Sequence, residues 1–258
     1  MIDTDLWLAV WLSLAGCLGL CHTLISGERK VDFGTTYSGR FSCRNTAGLA
    51  LYSMLILLAG IAYIHTSDPD FDKIQVIKSW PGSVGNFEKA PTEISYTGNS
   101  SVWGYGIQPG AERSGYFKLL LDPKATATRY DSPGLTSDSG SYSKIPLPPG
   151  KSASAVTTDY LRHLYNHLMS TLRQKLAITI SNTPIRFVLT TPAIWSHEAQ
   201  NATCEAAKAA GFTSREGDTL SMVSEPEAAA SYCLKEIFSQ RRETENPLQV
   251  TSHYKYFL

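Results

Sequence analysis

The segment from Val31 to Gly39, VDFGTTYSG, has the residue types of a phosphate-binding turn. An aspartate, Asp32, is followed by a glycine and a run of small hydroxylated residues. Such a turn lets backbone N–H groups approach an anion while the hydroxyl groups donate hydrogen bonds to it. An aspartate facing the same pocket could hold a hydrated Mg²⁺. Taken alone, the pattern fits a hairpin turn capped by Asp32 equally well.

A second segment, LSMVSEPEAAA from Leu220 to Ala230, places an acid at the end of an apolar strand. Glu225 ends that strand, and Pro226 suits the first turn of a helix. A carboxylate there faces the crevice at the carboxyl ends of strands, where α/β sheets bind ligands. It could orient an attacking water or a metal-bound water. The alternative is an exposed acid at a helix start, favoured by the helix dipole.

The elements around these motifs are those of an α/β protein. Strand-like segments bounded by Pro and Gly occur at Ile74–Ser79, Thr92–Tyr96, Arg186–Thr190 and Leu220–Val223. Leucines at helical spacing predict an amphipathic helix from Thr158 to about Leu176, capped by Thr157 or Thr158. A second helix is predicted over Ser196–Phe212, with Gly211 as its C-cap. Strand, helix, strand and helix in this order indicate an open sheet with covering helices.

Composition excludes some partners and favours one compartment. Lys plus Arg and Asp plus Glu both total 23, so no overall charge attracts nucleic acid. The five cysteines are scattered without metal-ligand spacing, which indicates reduced thiols and a cytoplasmic location. His163 and His167 are four residues apart, but no third metal ligand is nearby, so we interpret them as surface histidines.

Two apolar runs provide an alternative, membrane-anchored reading. Leu6–Ile25 is about 20 residues without a charge, long enough to cross a bilayer as a helix. Asp3 and Asp5 precede it, where a secretory signal would carry basic residues. Ala47–Ile64 is similarly apolar and passes the same length test.

Several motifs in the same order resemble the actin and heat-shock-70 superfamily. VDFGTTYSG resembles its first phosphate loop, and VLTTPAIWSHEAQNATCEAAKAAGF with LSMVSEPEAAASYCL resembles its strand, helix and SEPEAAA segment. SWPGSVGNFEKAPTEISY, SVWGYG and YFKLLLD are similar to a divergent eukaryotic heat-shock-70-like branch. The resemblance covers most of Val31–Phe238. It implies an α/β, actin-like ATPase (ribonuclease H-like) fold, of which this chain holds the first lobe, preceded by an apolar N-terminal helix.

The resemblance also implies ATP and Mg²⁺ as cofactors and assigns roles to individual residues. Asp32 would hold the metal through water, Glu225 would align the hydrolytic water, and Lys118 would be the counterpart of the catalytic lysine. The residues that would surround the phosphates are Gly34, Thr35, Thr36 and Tyr37.

The sequence departs from the family pattern in three places. The charged run Gly27–Lys30 stands where an apolar strand leads into the phosphate loop, and a buried parallel strand would not tolerate it. Removing Arg40–Gly60 would join YSG directly to IAYI, so this run is interpreted as an insertion, such as an unspliced intron. The family's second phosphate loop and adenosine motif are not found. We therefore predict an apolar segment at 1–30, a partial ATPase lobe at 31–238 interrupted at 40–60, and an unrelated tail at 239–258.

The function expected on this basis is that of a heat-shock-70-like ATP-binding protein with weak or no hydrolysis. Its partners would be a nucleotide, together with co-chaperones or other proteins. The alternative is a membrane-anchored, non-enzymatic interaction fragment, held through Leu6–Ile25, or the product of an incorrect gene model. A sugar or acetate kinase is disfavoured because the SEPEAAA segment resembles the heat-shock proteins.

Overall fold

A computed structural model describes residues 6–11, 58–65, 74–98, 100–122, 147–177, 179–193, 195–228 and 230, with the backbone alone given for 6–11. These residues form a mixed α/β structure with two sheets. The strands are β1 Leu6–Trp11, β2 Leu58–His65, β3 Gln75–Val76, β4 Ala90–Pro91, β5 Glu93–Thr97, β6 Ser100–Trp103, β7 Ser114–Gly115, β8 Ile185–Thr191 and β9 Thr219–Ser224. The helices are α1 Ala153–Leu176, α2 Thr179–Asn182 and α3 His197–Ala210, with 3-10 turns at Gly104–Gly106 and Phe117–Leu121.

The larger sheet joins an antiparallel half to a parallel half. Its strand order among the described residues is β3-β2-β1-β8-β9, and β4 also pairs with β2. β1 pairs antiparallel with β2 and parallel with β8, and β8 pairs parallel with β9. The smaller sheet has the order β6-β5-β7 and is antiparallel. This arrangement is consistent with the actin-like fold that the resemblance implies.

The N-terminal apolar run begins as a strand, so the predicted helix is wrong over Leu6–Trp11. The remainder of the predicted apolar segment 1–30 lies outside the described residues. A central strand with neighbours on both sides is typically a continuous apolar run, and over so few residues it cannot be distinguished from a helix by composition. β1 also supplies an apolar parallel strand to the sheet. The charged run Gly27–Lys30 is unsuited to that role, because a buried parallel strand does not tolerate such charges.

The second apolar run also ends as a strand. β2 includes residues 58–64 of the run Ala47–Ile64. The first three residues of β2, 58–60, fall within the predicted insertion Arg40–Gly60. Leu58 and Ala59 pair with β4, and Gly60 pairs with Trp11 of β1. In the part of the chain that the structure describes, no helix combines the length and hydropathy needed to cross a bilayer.

The helix α1 begins earlier than predicted. Ser152 is its N-cap, and the Ser152 hydroxyl accepts a hydrogen bond from the Ala155 N–H at 3.2 Å. The predicted caps Thr157 and Thr158 lie inside the helix, where their hydroxyls donate to backbone carbonyls four residues earlier. The first turn carries no leucine, so the leucine spacing could not show it. Serine with a free side-chain acceptor is a preferred N-cap.

Both predicted ends of α3 are confirmed. The Ser196 hydroxyl accepts from the Ala199 N–H at 3.3 Å, and Gly211 ends the helix at φ 116°. Glycine is favoured there because the left-handed conformation strains a residue with a Cβ. A Cβ on Gly211 would also lie 3.1 Å from the Tyr165 ring.

The main core lies between the larger sheet and the helices α1 and α3. Its fully buried members include Leu161, Leu164 and Leu168 of α1, together with Phe187 of β8 and Phe212 after α3. The Phe187 and Phe212 rings pack edge to face with their centroids 5.0 Å apart. Burial of the leucine stripe against the sheet fixes which face of α1 points inward.

The two histidines of α1 are half-buried rather than simply exposed, which corrects their interpretation as surface residues. His163 stacks on Trp103 with ring centroids 6.0 Å apart, and His167 lies 5.4 Å from Trp80. Burial lowers the pKa of both imidazoles. His163 Nε2 bonds Ser101 Oγ at 2.8 Å. Among the described residues, no group of three or more His, Cys, Asp or Glu could hold a metal ion.

Truncating the leucine stripe should destabilise the chain strongly. Leu164 is fully buried, so Leu164→Ala is expected to lower the free energy of unfolding by roughly 2–5 kcal/mol through lost contacts and a residual cavity. Urea denaturation measures this loss. The exposed Asn166→Ala on the same helix is the control and should change the free energy by less than about 0.5 kcal/mol. Equal effects of the two substitutions would contradict the proposed orientation of α1.

Candidate functional site

The candidate site lies at the carboxyl ends of the parallel strands. β8 ends with the buried Thr190 and Thr191, and Thr191 pairs with Ser224 at the end of β9. β1 runs parallel to β8, so its carboxyl end at Trp11 points to the same edge of the sheet. Crevices at such edges are where open α/β sheets bind ligands.

Glu225 directly follows β9 and is buried. It is 8% exposed, and helical residues begin at this position. The Ser224 hydroxyl accepts a hydrogen bond from the Glu227 N–H at 3.3 Å, which holds the chain at the turn from strand to helix. Burial excludes the alternative of an exposed helix-start acid. Glu225 is thus a buried acid at the point where β9 ends.

Lys118 reaches the same region from the 3-10 turn Phe117–Leu121. The turn packs against α1, where the Phe117 and Tyr160 ring centroids are 5.7 Å apart. Tyr116 precedes the turn in the left-handed conformation at φ 56°, which changes the direction of the chain abruptly. As a result the Lys118 side chain is 6% exposed.

Lys118 and Glu225 interact electrostatically. Burial lowers the pKa of Lys118 to about 8, and the charge of Glu225 opposes this by favouring the protonated amine. A lysine with this pKa is present in both protonation states near neutral pH. The structure therefore brings together Lys118 and Glu225, which are the two predicted catalytic residues within its described part.

The catalytic roles of Glu225 and Lys118 stay predictions, and the structure does not describe the remaining predicted site residues. Asp32, Gly34, Thr35, Thr36 and Tyr37 all lie outside the described residues. Their roles at the phosphates and at Mg²⁺ therefore stay predictions.

The sequence reading missed one buried acid next to this site. Asp122 is 1% exposed, and its Oδ2 accepts a hydrogen bond from the Ser196 backbone N–H at 2.8 Å. Ser, Pro and Gly residues follow Asp122 along the chain and are typical of a surface loop, so the local composition favours an exposed position for it. The sequence signal that could have indicated the burial of Asp122 is its position at the end of the apolar run FKLLL, where a polar residue often ends a buried turn.

The mixed α/β fold, with Lys118 and Glu225 buried near the end of β9, is consistent with an actin-like fold. No protein-family model matches the chain. Among curated proteins, it is 28% identical over 219 residues to heat shock 70 kDa protein 12A of Mus musculus, covering 80% of this chain and 28% of that protein. It is also 28% identical over 220 residues to heat shock 70 kDa protein 12B of Homo sapiens, covering 80% and 27%.

Heat shock 70 kDa protein 12A of Homo sapiens matches equally well, at 28% identity over 219 residues. These similarities support the presence of a divergent heat-shock-70-like domain in the chain. The chain spans little more than a quarter of the length of these relatives, since the matches cover 28%, 27% and 28% of them.

The buried lysine should make stability depend on pH. The unfolded chain has an ordinary lysine pKa near 10.5, so between pH 8 and 10.5 it holds a proton that folded Lys118 has lost. Stability should therefore rise across this window, and below pH 8 the full cost of burying the ammonium is present. The contribution amounts to at most about 3 kcal/mol.

Urea unfolding of the wild type and of Lys118→Met, compared from pH 7.5 to 10.5, measures this contribution. Tyrosines and other lysines titrate in both proteins, so the difference between the two curves isolates Lys118. Parallel curves would show that Lys118 titrates normally and is not buried as described.

Proposed function

We propose that this chain is the nucleotide-binding part of a heat-shock-70-like protein, with ATP bound at the carboxyl edge of the larger sheet. The observation that carries this proposal is the buried pair of Lys118 and Glu225 at that edge. Two opposite charges taken out of water are costly, and such pairs concentrate at functional sites. The similarity to heat shock 70 kDa proteins supports the same assignment.

The two side chains suit different parts of the chemistry. The Glu225 carboxylate can accept a hydrogen bond from a water molecule and so orient it for attack. The Lys118 ammonium can donate to a phosphate oxygen and offset its charge. ATP with Mg²⁺ would supply the phosphoanhydride bond. The segment Val31–Gly39, with Asp32 reaching Mg²⁺ through water, is the proposed phosphate loop on the basis of the family resemblance.

Several finer points of this function stay predictions. We propose that hydrolysis by this chain is weak or lost. Binding to co-chaperones, a cytoplasmic location and the insertion at 40–60 are likewise expected from the sequence. The competing membrane-anchored fragment is disfavoured by one observation, the incorporation of Leu6–Trp11 into the sheet.

ATP binding should be coupled to uptake of a proton. The phosphates add negative charge beside Lys118, which raises its pKa above about 8 and draws a proton from the buffer. Calorimetric titration with Mg²⁺-ATP at pH 8, in buffers of different ionisation enthalpy, measures the protons taken up. Lys118→Met is expected to abolish the uptake and to weaken binding by at least about tenfold.

The control is Lys208→Met, which removes an exposed lysine paired with Glu205 on α3. This variant should bind ATP with wild-type affinity and take up the same number of protons. Binding that is unchanged in Lys118→Met would contradict the placement of nucleotide at this site. Absence of binding by a folded wild-type chain would contradict the proposed function itself.

Shortening the predicted apolar segment at 1–30 and the predicted insertion at 40–60 should preserve the fold only if β1 and β2 are kept. A chain lacking 12–30 and 40–57 retains both strands, and we expect it to remain folded and to bind ATP at least as tightly as the full chain. A chain lacking 1–30 loses β1, which leaves the edges of β2 and β8 without their partner.

Circular dichroism and urea unfolding distinguish these two shortened chains. The chain without 1–30 should lose its cooperative transition. If it unfolds as cooperatively as the chain that keeps Leu6–Trp11, the central position of β1 is wrong.

A further inference from the structure

The 3-10 turn that carries Lys118 is attached to the start of α3. Asp122 closes the turn, and its Oδ2 accepts the Ser196 N–H across 74 residues of sequence. Beside this bond, Leu121 packs with Trp195 and Ala199 in a small apolar cluster separate from the main core. The attachment therefore has one polar and one apolar contact.

The partner of Asp122 is itself well fixed. Ser196 is the N-cap of α3, where its hydroxyl accepts from the Ala199 N–H. The Trp195 N–H donates to the Pro192 carbonyl at 3.2 Å, and the Gln200 side chain donates to the Trp195 carbonyl at 3.2 Å. Asp122 thus bonds to Ser196, which together with its neighbour Trp195 is held by several other hydrogen bonds.

The turn itself is short and needs such an attachment. A five-residue 3-10 segment has few and poorly aligned hydrogen bonds of its own. At its start Tyr116 occupies a left-handed conformation that is unfavourable for a residue with a side chain. The long, flexible side chain of Lys118 does not fix the location of its amine by itself. That location therefore also depends on where the backbone of the turn is held.

We propose that Asp122 is a positioning residue for Lys118: by holding the Ser196 N–H, it keeps the turn against α3 and Lys118 buried opposite Glu225. Its relevance to catalysis rests on the proposed function, because only an ATP site gives Lys118 a substrate. The effect of Asp122 on the location of Lys118 does not rest on the proposed function, and it can be measured without nucleotide.

The test follows the titration of the Lys118 amine by NMR in the full chain, with the resonance assigned by its loss in Lys118→Met. In the wild type the midpoint should lie near pH 8. In Asp122→Ala the turn is released and Lys118 gains water, so the midpoint should rise by at least about one pH unit. Loss of a nearby negative charge alone would lower the midpoint, so a rise cannot come from charge removal.

Two matched variants separate positioning from general destabilisation. Asp122→Asn keeps a side-chain oxygen that can accept the Ser196 N–H, so its midpoint should stay near that of the wild type. Ser196→Ala removes the helix cap but leaves the backbone N–H that Asp122 holds, so it should lower stability without moving the midpoint.

The proposal is overturned if folded Asp122→Ala titrates at the wild-type midpoint, or if Ser196→Ala moves the midpoint as far as Asp122→Ala does. If Asp122→Ala does not fold, Asp122→Leu decides the question, because it removes the acceptor for the Ser196 N–H while keeping the bulk of the side chain. A raised midpoint there supports positioning, and a wild-type midpoint refutes it. Lack of ATP binding with a shifted midpoint would refute the proposed function and leave the positioning role standing.

Discussion

The pairing of β1 on both of its edges is the constraint on which the rest of the structure depends. β2 bonds to one edge in antiparallel register, and β8 bonds to the other in parallel register. The backbone groups of a central strand have no other partners in a protein interior, so this pairing must be satisfied for the sheet to exist. Because β1, β8 and β9 all run the same way, their carboxyl ends meet at one edge. That edge is where Glu225 follows β9.

Burial of charge gives the site its chemical character. Lys118 would be an ordinary ammonium in water, but at this edge desolvation works against its charge while Glu225 supports it. The balance of these two opposing effects leaves the pKa of the Lys118 amine at about 8, close to neutral pH. Such a balance is sensitive to small movements, because desolvation falls quickly once water reaches the amine. The contact of Asp122 with Ser196 limits that movement by tying the turn to the first residues of α3.

Similarity and structure contribute different parts of the functional argument. The relatives support a divergent heat-shock-70-like domain, but the chain covers little more than a quarter of their length. The structure adds the arrangement of the described residues, in which Lys118 and Glu225 share one buried region. The proposed phosphate loop at Val31–Gly39 depends on the sequence resemblance. The nucleotide assignment thus joins a motif from the sequence to a charge pair from the fold.

The sequence alone determined the elements whose signals are local. Apolar periodicity predicts strands β5, β8 and β9 and the leucine face of α1. The start of α3 at Ser196 and its C-cap at Gly211 also follow from signals that act within a few residues. Glu225 could be singled out because it lies directly between a strand and a helix. Only the tertiary structure decided that Leu6–Trp11 is a strand, that Asp122 is buried and that Lys118 interacts electrostatically with Glu225. An apolar run is compatible with a helix or a central strand until its neighbours are known, and burial of a charge depends on segments distant in the chain.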